Sequence, residues 1–351
     1  MILSGAIQDE TINFNGKNWT QVSQMRLIKI YPFKEKWIGI NPDGGLYYSE
    51  DNGHTWKFKT GNDNAQAISI AIAENFAIAA TKTGLKQTTD GIIWNDITDS
   101  LIKGTNCTAI AVGKDGIWVT SNENGNYYTA DIDGFANWKQ IDLAEPSKSF
   151  IKQVYGRWFL NNYFDLGVNG LDGTGNDIYG QNWSLISAAG TGSSVVDCFY
   201  IDRIGFIIIM PGILSIGSLD GLNSTTSKYQ IANHYKWSNT TIAEFSKMNS
   251  AIVKNADNIF IITDSNIINL SISTLQRTTM LNIGGKKLYC KNNRYYAGTS
   301  EGVYYFNEKT STWSKAKGIT SEVYDINCQN NILMAATYSG IYISEIKEVN
   351  L

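Results

Sequence analysis

Residues 322–346 of this chain decide the fold, and they read EVYDINCQNNILMAATYSGIYISEI. The stretch holds three short apolar segments, 323–328, 332–337 and 341–346, separated by Asn330-Asn331 and by Ser339-Gly340. Short runs of β-branched and aromatic residues bounded by Asn and Gly turns are typical of strands joined by hairpins. The stretch therefore predicts three consecutive antiparallel strands.

The same pattern recurs along the whole chain of 351 residues. The predicted first and second strands read RLIKIY and KWIGI, AISIAIA and FAIAAT, CTAIAV and GIWVTS, FIKQVY and RWFLNN, VVDCFY and IGFIIIM, SAIVKN and NIFIITD, KKLYCK and RYYAGTS, and VYDINC and ILMAAT. Eight units give about 44 residues each, the length of a four-stranded propeller blade. The sequence predicts an all-β protein with one domain over 1–351, an eight-bladed β-propeller of four-stranded antiparallel blades; seven blades are the alternative.

A Trp marks the predicted fourth strand in most units. These residues are Trp19, Trp56, Trp94, Trp138, Trp183, Trp237 and Trp313. One fourth strand precedes the first complete unit, whereas the last unit has only three strands. We therefore expect the N-terminal strand near 11–22 to complete the last blade with 322–346 and to close the ring. The N-terminus supplies either one strand or two, because 11–19 also resembles 303–313.

Charge and hydropathy exclude several classes of function. With 29 basic and 32 acidic side chains the net charge is −3, which argues against a nucleic-acid partner. The longest apolar stretch, 204–214, is broken by Gly205, Pro211 and Gly212 and is far shorter than the ~20 residues that span a bilayer. No membrane insertion is expected. No secretory signal is visible at the N-terminus, so the expected location is a virion or the cytoplasm.

The four cysteines, Cys107, Cys198, Cys290 and Cys328, are widely spaced and form no CxxC pair. This spacing indicates neither a zinc site nor a disulfide scaffold. All four fall on or beside a predicted first strand, where small apolar thiols serve as packing residues. We expect reduced core cysteines.

One turn carries a recognisable motif. Residues 49–56 read SEDNGHTW, which resembles the Asp-box, or bacterial neuraminidase repeat, of pattern S-x-D-x-G-x-T-W. Its key positions are Ser49, Asp51, Gly53 and Trp56, and a shorter version is formed by Asp90, Gly91 and Trp94. An Asp here can accept hydrogen bonds from its own turn, Gly supplies a positive φ, and Trp packs into the blade. The resemblance implies a β-propeller with structural boxes between third and fourth strands, and it does not imply a particular chemistry.

The positions of the arginine residues test whether the chain is a sialidase. Sialidases of the Asp-box family hold the carboxylate of the substrate with three arginines. The chain has five, and three of them, Arg157, Arg203 and Arg294, begin predicted second strands on the face that bears the boxes. Only Arg26 and Arg277 are predicted to reach the opposite face, and the FRIP-type sialidase motif is absent. The two histidines, His54 and His234, lie in predicted turns. We expect no catalytic centre.

The candidate loops for ligand contact lie on the face opposite the boxes, and the sequence leaves open which face binds. The longest predicted loop there, 162–177, carries Asp165, Asp172 and Asp177, whose oxygens are a candidate Ca²⁺ site. No other cofactor is indicated. The aromatic candidates for ligand contact are Tyr163, Phe164 and Tyr338.

These observations favour a non-enzymatic binding or structural propeller. The composition resembles that of Asp-box proteins of phage or phage-like tails, either a structural virion component or a receptor-recognising tip. The expected partners are other proteins of a larger assembly or a cell-surface glycan. The alternatives are a carbohydrate-binding lectin and, second, a sialidase-like glycoside hydrolase.

Overall fold

The structure is a computed structural model that describes residues 16–59, 65–114, 116–131, 133–141, 150–154, 157–160, 163–165, 183–185, 195–201, 204–210, 213–219, 235–241 and 247–346. Within these residues it contains strands and turns. The first half of the chain forms β1 (Thr20–Ser23), β2 (Lys29–Phe33), β3 (Lys36–Ile40), β4 (Leu46–Ser49), β5 (Lys57–Phe58), β6 (Ala67–Ile72), β7 (Ala77–Thr81), β8 (Gly84–Thr88), β9 (Asn95–Asp96), β10 (Cys107–Val112), β11 (Trp118–Asn122), β12 (Gly125–Thr129), β13 (Lys139–Ile141), β14 (Ile151–Val154), β15 (Arg157–Leu160), β16 (Tyr163–Asp165) and β17 (Trp183–Leu185).

The second half forms β18 (Asp197–Ile201), β19 (Gly205–Met210), β20 (Ile213–Leu219), β21 (Tyr235–Thr241), β22 (Met248–Val253), β23 (Asn258–Thr263), β24 (Ile267–Ser271), β25 (Arg277–Leu281), β26 (Gly285–Lys291), β27 (Arg294–Thr299), β28 (Gly302–Asn307), β29 (Thr312–Lys315), β30 (Val323–Gln329), β31 (Ile332–Thr337) and β32 (Gly340–Glu345). Among the described residues the structure has no helix with the length and apolarity to span a bilayer.

These strands form eight four-stranded antiparallel sheets in the described part of the chain. Blades 1 to 7 are β2–β5, β6–β9, β10–β13, β14–β17, β18–β21, β22–β25 and β26–β29, each with its strands in sequence order. Blade 8 has the order β1-β32-β31-β30. The predicted count of eight is confirmed, and the alternative of seven is wrong.

The ring closes at blade 8. β1 pairs antiparallel with β32, with Thr20 opposite Ile343, so the N-terminal strand completes the last blade. The first strands of successive blades contact one another around the molecule, and β30 of blade 8 contacts β2 of blade 1. One N-terminal strand is described; residues 1–15, which include the start of the predicted 11–22 segment, lie outside the described residues.

Burial explains why these segments form blades. The second strands lie between both neighbours of their sheet and between adjacent blades, and β7 and β11 are buried at every residue. β7 is a nearly continuous apolar run, whereas β11 also buries Thr120, Ser121 and Asn122. The outermost strands β5 and β9 are only two residues long. Short edge strands leave few unpaired backbone groups that another chain could pair with. The inner part of each unit is therefore its most apolar part.

The Trp signals for the fourth strand are confirmed by the strand positions. Trp19, Trp56, Trp94 and Trp138 each directly precede a fourth strand, and the other Trp predictors, Trp183, Trp237 and Trp313, lie within one. In blade 6, which lacks this Trp, Leu275 stands just before β25 and packs against the core between blades 5 and 6. The repeat can thus lose its Trp without losing its fourth strand.

All four cysteines are free thiols, as expected from their spacing. Cys107, Cys198 and Cys328 are buried and Cys290 is half-buried. Burial raises the pKa of Cys107 to about 11 from an ordinary value of 9.0, and it also raises the pKa of the other three. The thiols therefore act as packing groups in the inner strands.

Thiol labelling tests this arrangement. At pH 8 we expect a thiol-specific disulfide reagent to modify Cys290 first and Cys107 and Cys198 slowly, because burial lowers the thiolate fraction of Cys107 about 100-fold and restricts access. In denaturant, all four thiols are expected to react within the mixing time. The reagent releases one coloured thiolate for each cysteine that it modifies, so absorbance against time measures the labelling rates of native and denatured protein. Rapid labelling of all four cysteines in the native protein would contradict their burial.

Candidate functional site

The Asp-box turn of blade 1 has the hydrogen bonds predicted for it. Asp51 accepts from the Thr55 backbone N–H (2.9 Å) and from the Thr55 hydroxyl (2.6 Å). The Ser49 hydroxyl accepts from the Gly53 N–H at 2.8 Å, and the Trp56 indole donates to the Gly53 carbonyl at 3.0 Å. Gly53 has φ +88°, which an L-residue adopts only with strain. The turn is therefore fixed by its own side chains.

The second turn repeats this geometry. Asp90 accepts from the Ile92 and Ile93 N–H groups at 2.8 and 2.9 Å, and Thr88 takes the role that Ser49 has in the first turn. Partial burial raises the pKa of both Asp51 and Asp90, but the hydrogen bonds outweigh it, so each pKa lies below its ordinary value. Both carboxylates are thus ionised acceptors occupied by their own turns.

These turns also pack against the preceding blade. A Cβ on Gly53 would lie 2.5 Å from Met334 of blade 8, and one on Gly91 would lie 3.3 Å from Phe33 of blade 1. The third-to-fourth turn of blade 3 packs in the same way, since a Cβ on Gly134 would lie 2.5 Å from Ile78 of blade 2. These three turns therefore pack their blades against the preceding blade.

The opposite face has a different character. Because the strands of a blade alternate in direction, the fourth-to-first connections and second-to-third turns form one face, which we call the mouth face. The first-to-second and third-to-fourth turns, with the Asp-boxes, form the other, the turn face. The first strands surround the axis, and each begins at the mouth face.

One position of each first strand, near its mouth-face end, forms a ring around the axis. These equivalent positions, which we call the inner-ring positions, are Lys29, Ser69, Ala109, Lys152, Asp197, Ser250, Lys287 and Asp325. In five blades a register shift directly precedes the position, as between Val323 and Asp325. A β-bulge re-aims the side chain that follows it and is common next to functional sites.

Side chains at these positions reach the next blade around the ring. Lys29 donates to the Ile68 carbonyl at 2.8 Å, and Lys152 donates to Asp197 at 2.5 Å. Asp325 accepts from the Ile30 N–H at 3.1 Å, and its other oxygen lies 3.4 Å from Nζ of Lys287. The inner-ring positions therefore link neighbouring blades through charged side chains.

The charge is unevenly distributed around the ring. Lys287, Asp325 and Lys29 are consecutive, in blades 7, 8 and 1. Burial lowers the pKa of Lys29, Asp325 raises it and Lys287 lowers it further. The Lys287 side chain keeps 39% of its surface exposed, so this cation is accessible.

Two exposed side chains, Arg26 and Tyr338, and the half-buried Tyr324 lie together at the mouth face, and we call them the mouth cluster. The Arg26 guanidinium carbon is 4.6 Å from the ring centroid of Tyr338 and 5.8 Å from that of Tyr324, and Nη2 donates to the Tyr324 hydroxyl at 3.1 Å. Tyr338 is 60% exposed. Arg26 forms no ion pair with any acid in the described part of the chain.

The structure keeps one predicted ligand-face residue in place and moves three others. Tyr338 lies in a second-to-third turn on the mouth face, as expected. Tyr163, Phe164 and Asp165, predicted in a loop of that face, instead form β16, the third strand of blade 4, which pairs with β15 and β17. The rest of the predicted loop, 166–177, lies outside the described residues.

The structure describes only one of the three candidate Ca²⁺ ligands. Asp165 lies on a strand opposite Trp183, while Asp172 and Asp177 lie outside the described residues. Among the described residues no three His, Cys, Asp or Glu side chains come together to hold a metal ion. The Ca²⁺ site formed by Asp165, Asp172 and Asp177 stays a prediction.

The arginines are distributed largely as predicted. Arg157 and Arg294 begin second strands and so lie at the turn face. Arg277 was expected at the other face, but its pairing with Leu270 puts it at the turn-face end of β25. Arg26 is thus the one arginine at the mouth face in the part of the chain that the structure describes.

The inner-ring positions and most of the mouth cluster were missed by the sequence reasoning. The signal was present, because each first strand carries a polar or small residue inside an apolar run, as in VYDINC and VVDCFY. What the sequence does not reveal is the register shift before five of these positions and the contacts that their side chains make with the next blade. Tyr324 likewise reads as an ordinary strand residue until Arg26 is placed beside it.

Comparison with known proteins supports the fold. No protein-family model and no curated protein matches the chain. Among solved structures, Sqt1 of Saccharomyces cerevisiae is 13% identical with a TM-score of 0.60, covering 95% of this chain and 98% of Sqt1. YCF48 of Cyanidioschyzon merolae is 14% identical with a TM-score of 0.55, covering 93% and 98%. The WD40 β-propeller domain of Doa1 is 9% identical with a TM-score of 0.50, covering 96% and 98%. These likenesses show a β-propeller fold.

Proposed function

We propose that this chain is a non-enzymatic propeller that binds another protein of a larger assembly through its mouth face. The observation that carries the proposal is the set of inner-ring positions, whose residues differ from blade to blade on a repeating scaffold. A repeated small-ligand pocket would need the same residues in several blades, whereas one asymmetric partner can use each blade differently. Binding residues are commonly held in this way by a rigid framework.

The solved neighbours are compatible with a protein partner. One structure similar to this chain is YCF48 bound to D1 peptide, at 12% identity and a TM-score of 0.56, so a propeller of this shape accommodates a peptide. The likeness concerns the fold, and the mouth face of this chain has its own residues. Function lives in such sites and not in the fold.

We further propose that the chain is an Asp-box propeller of a phage or phage-like tail, either a structural virion component or a receptor-recognising tip. The hydrogen bonds of Asp51 and Asp90 support the Asp-box part, since they have the geometry that the motif requires. The composition supports the tail part. In this role the chain needs no cofactor and catalyses no reaction.

Cross-linking of assembled particles tests this function. We expect the tagged chain to co-purify with virions or tail particles. An amine-reactive cross-linker should then join a partner to exposed Lys82 and Lys286 of the mouth face much more often than to exposed Lys34 and Lys309 of the turn face, which serve as matched controls. Mass spectrometry of the cross-linked peptides gives the ratio.

Three results would contradict the proposal. Cross-links concentrated on Lys34 and Lys309 would place the interface on the turn face. Recovery only as free protein would argue against assembly. A sugar bound on a glycan array, or turnover of a glycoside panel, would favour the lectin or the glycoside hydrolase.

A further inference from the structure

We propose that the sector of the mouth face formed by blades 7, 8 and 1 binds a carboxylate group of an acidic segment of the partner protein, with Arg26 as its principal contact. The inference rests on the proposed function, because it names the chemistry of the segment that the mouth face receives. It concerns Arg26, Lys29 and Lys287, with Tyr324 and Tyr338 as positioning residues.

Arg26 is held ready for such a contact. Its guanidinium lies over the ring of Tyr338 and donates one hydrogen bond to the Tyr324 hydroxyl. These contacts restrict the conformations of the long side chain and use only one of its N–H donors. A guanidinium has five N–H donors, and its planar fork matches a carboxylate with two parallel hydrogen bonds. The other acidic group nearby in the chain, Glu322, contributes its backbone carbonyl to the Tyr338 N–H and forms no ion pair with Arg26 in the described residues.

The adjoining inner-ring positions carry further charged groups. Nζ of Lys287 lies 3.4 Å from Asp325, and Lys29 of the next blade donates to the Ile68 carbonyl. Tyr324, which contacts Arg26, directly precedes Asp325 in β30. Acids also lie in mouth-face connections of this sector, at Asp43, Glu301 and Glu322. Arg26 forms no ion pair with any of them in the described residues, so its guanidinium is the cationic group that an anionic segment can meet.

An acidic peptide fits this sector better than an acidic sugar. The cations are spread over three blades, which suits an extended chain with carboxylates at intervals. A sugar would need an open aromatic face to stack on, and Arg26 already covers one face of Tyr338 at 4.6 Å. The carboxylate of the peptide would instead meet the edge of the guanidinium, where the free donors lie.

Binding of a defined probe tests the inference. We expect a fluorescein-labelled hexaglutamate peptide with blocked ends to bind the full chain at low salt, measured by fluorescence anisotropy, and to bind at least tenfold more weakly to Arg26→Gln. The matched control is Arg277→Gln, an exposed arginine at the turn face, which should change the affinity less than twofold. Arg26→Lys should recover only part of the loss, because it restores the charge without the planar fork.

Folding of the variants is checked by thermal melting, since Arg26 is exposed and its replacement should leave the melting temperature unchanged. Equal binding of hexaglutamate by wild type and Arg26→Gln overturns the inference. So does binding of 3′-sialyllactose that depends on Arg26 when hexaglutamate does not bind. If hexaglutamate fails while particle cross-links still map to Lys82 and Lys286, the acidic segment is wrong and the proposed protein-binding function stands.

Discussion

Gly318→Ala is expected to destabilise the protein by about 3 kcal/mol or more, against about 1 to 2 kcal/mol for Gly104→Ala. Both glycines have a positive φ, +96° and +75°, so both substitutions carry the cost of a left-handed residue. The two positions differ in the space available for a Cβ atom. A Cβ on Gly318 would lie 1.9 Å from the carbonyl oxygen of Trp19, whereas a Cβ on Gly104 meets nothing within 4 Å.

The difference matters because Gly318 lies where the two ends of the chain meet. The Trp19 N–H donates to the Lys317 carbonyl at 2.9 Å, and the Lys317 N–H donates to the Lys17 carbonyl at 2.7 Å. A Cβ on Gly318 would push this N-terminal segment away from the connection between blades 7 and 8. Because β1 follows directly, the closing strand would be displaced with it.

Urea denaturation followed by Trp fluorescence measures this effect. We expect the midpoint of Gly318→Ala to fall well below that of Gly104→Ala, with the same starting fluorescence if the variant still folds. A variant that does not fold would also agree, provided that Gly104→Ala folds normally. Equal midpoints for the two variants would show that the N-terminal segment contributes little to ring closure.

The sequence predicts the ring of blades well because a few residue types recur at fixed positions of the repeat. The second-to-third turn is marked by Gly84, Gly125, Gly302 and Gly340, all at positive or strongly extended φ where a side chain is disfavoured. In most blades, a Trp just before or within the fourth strand marks the third-to-fourth turn. Each signal is local, and together they set the period and hence the architecture.

Blade 4 was read wrongly because it lacks one of these signals. Its second-to-third turn falls after Leu160, where the sequence has Asn161-Asn162 and no Gly. Without a Gly to mark the turn, the sequence predicts a loop at Tyr163, Phe164 and Asp165, where the structure has the third strand. Pairing of Phe159 with Phe164 across the hairpin shows that the aromatic residues belong to the sheet.

The site was harder to predict than the fold because it depends on contacts between distant parts of the chain. Arg26 and Tyr324 are 298 residues apart, and they meet only because the ring closes. The register shifts before Lys287 and Asp325 precede side chains that reach the next blade, and no residue type in the sequence marks these shifts. A prediction from local pattern can give the polar residue but not its direction.

Asp325→Ala is expected to cost about 3 to 5 kcal/mol, as is typical when one partner of a buried charge network is removed. Asp325 is 8% exposed, and it accepts hydrogen bonds from the Ile30 N–H (3.1 Å) and from the Ile326 N–H (3.0 Å). Its removal leaves both donors without this acceptor and takes away the carboxylate that pairs with Lys287. Since the bond to Ile30 joins blade 8 to blade 1, the loss falls on ring closure.

The matched control is Asp264→Ala, which removes the carboxylate that pairs with Lys286, the residue before Lys287. Asp264 and Lys286 are 3.6 Å apart with 47% of each side chain exposed, so this substitution is expected to cost about 1 kcal/mol or less. Asp325→Asn should lie between the two, because its amide oxygen still accepts from Ile30 while the charge is lost. Urea midpoints rank the three variants, and a loss for Asp325→Ala no greater than that for Asp264→Ala would contradict the structural role of Asp325 and leave its carboxylate open to a role at the mouth face instead.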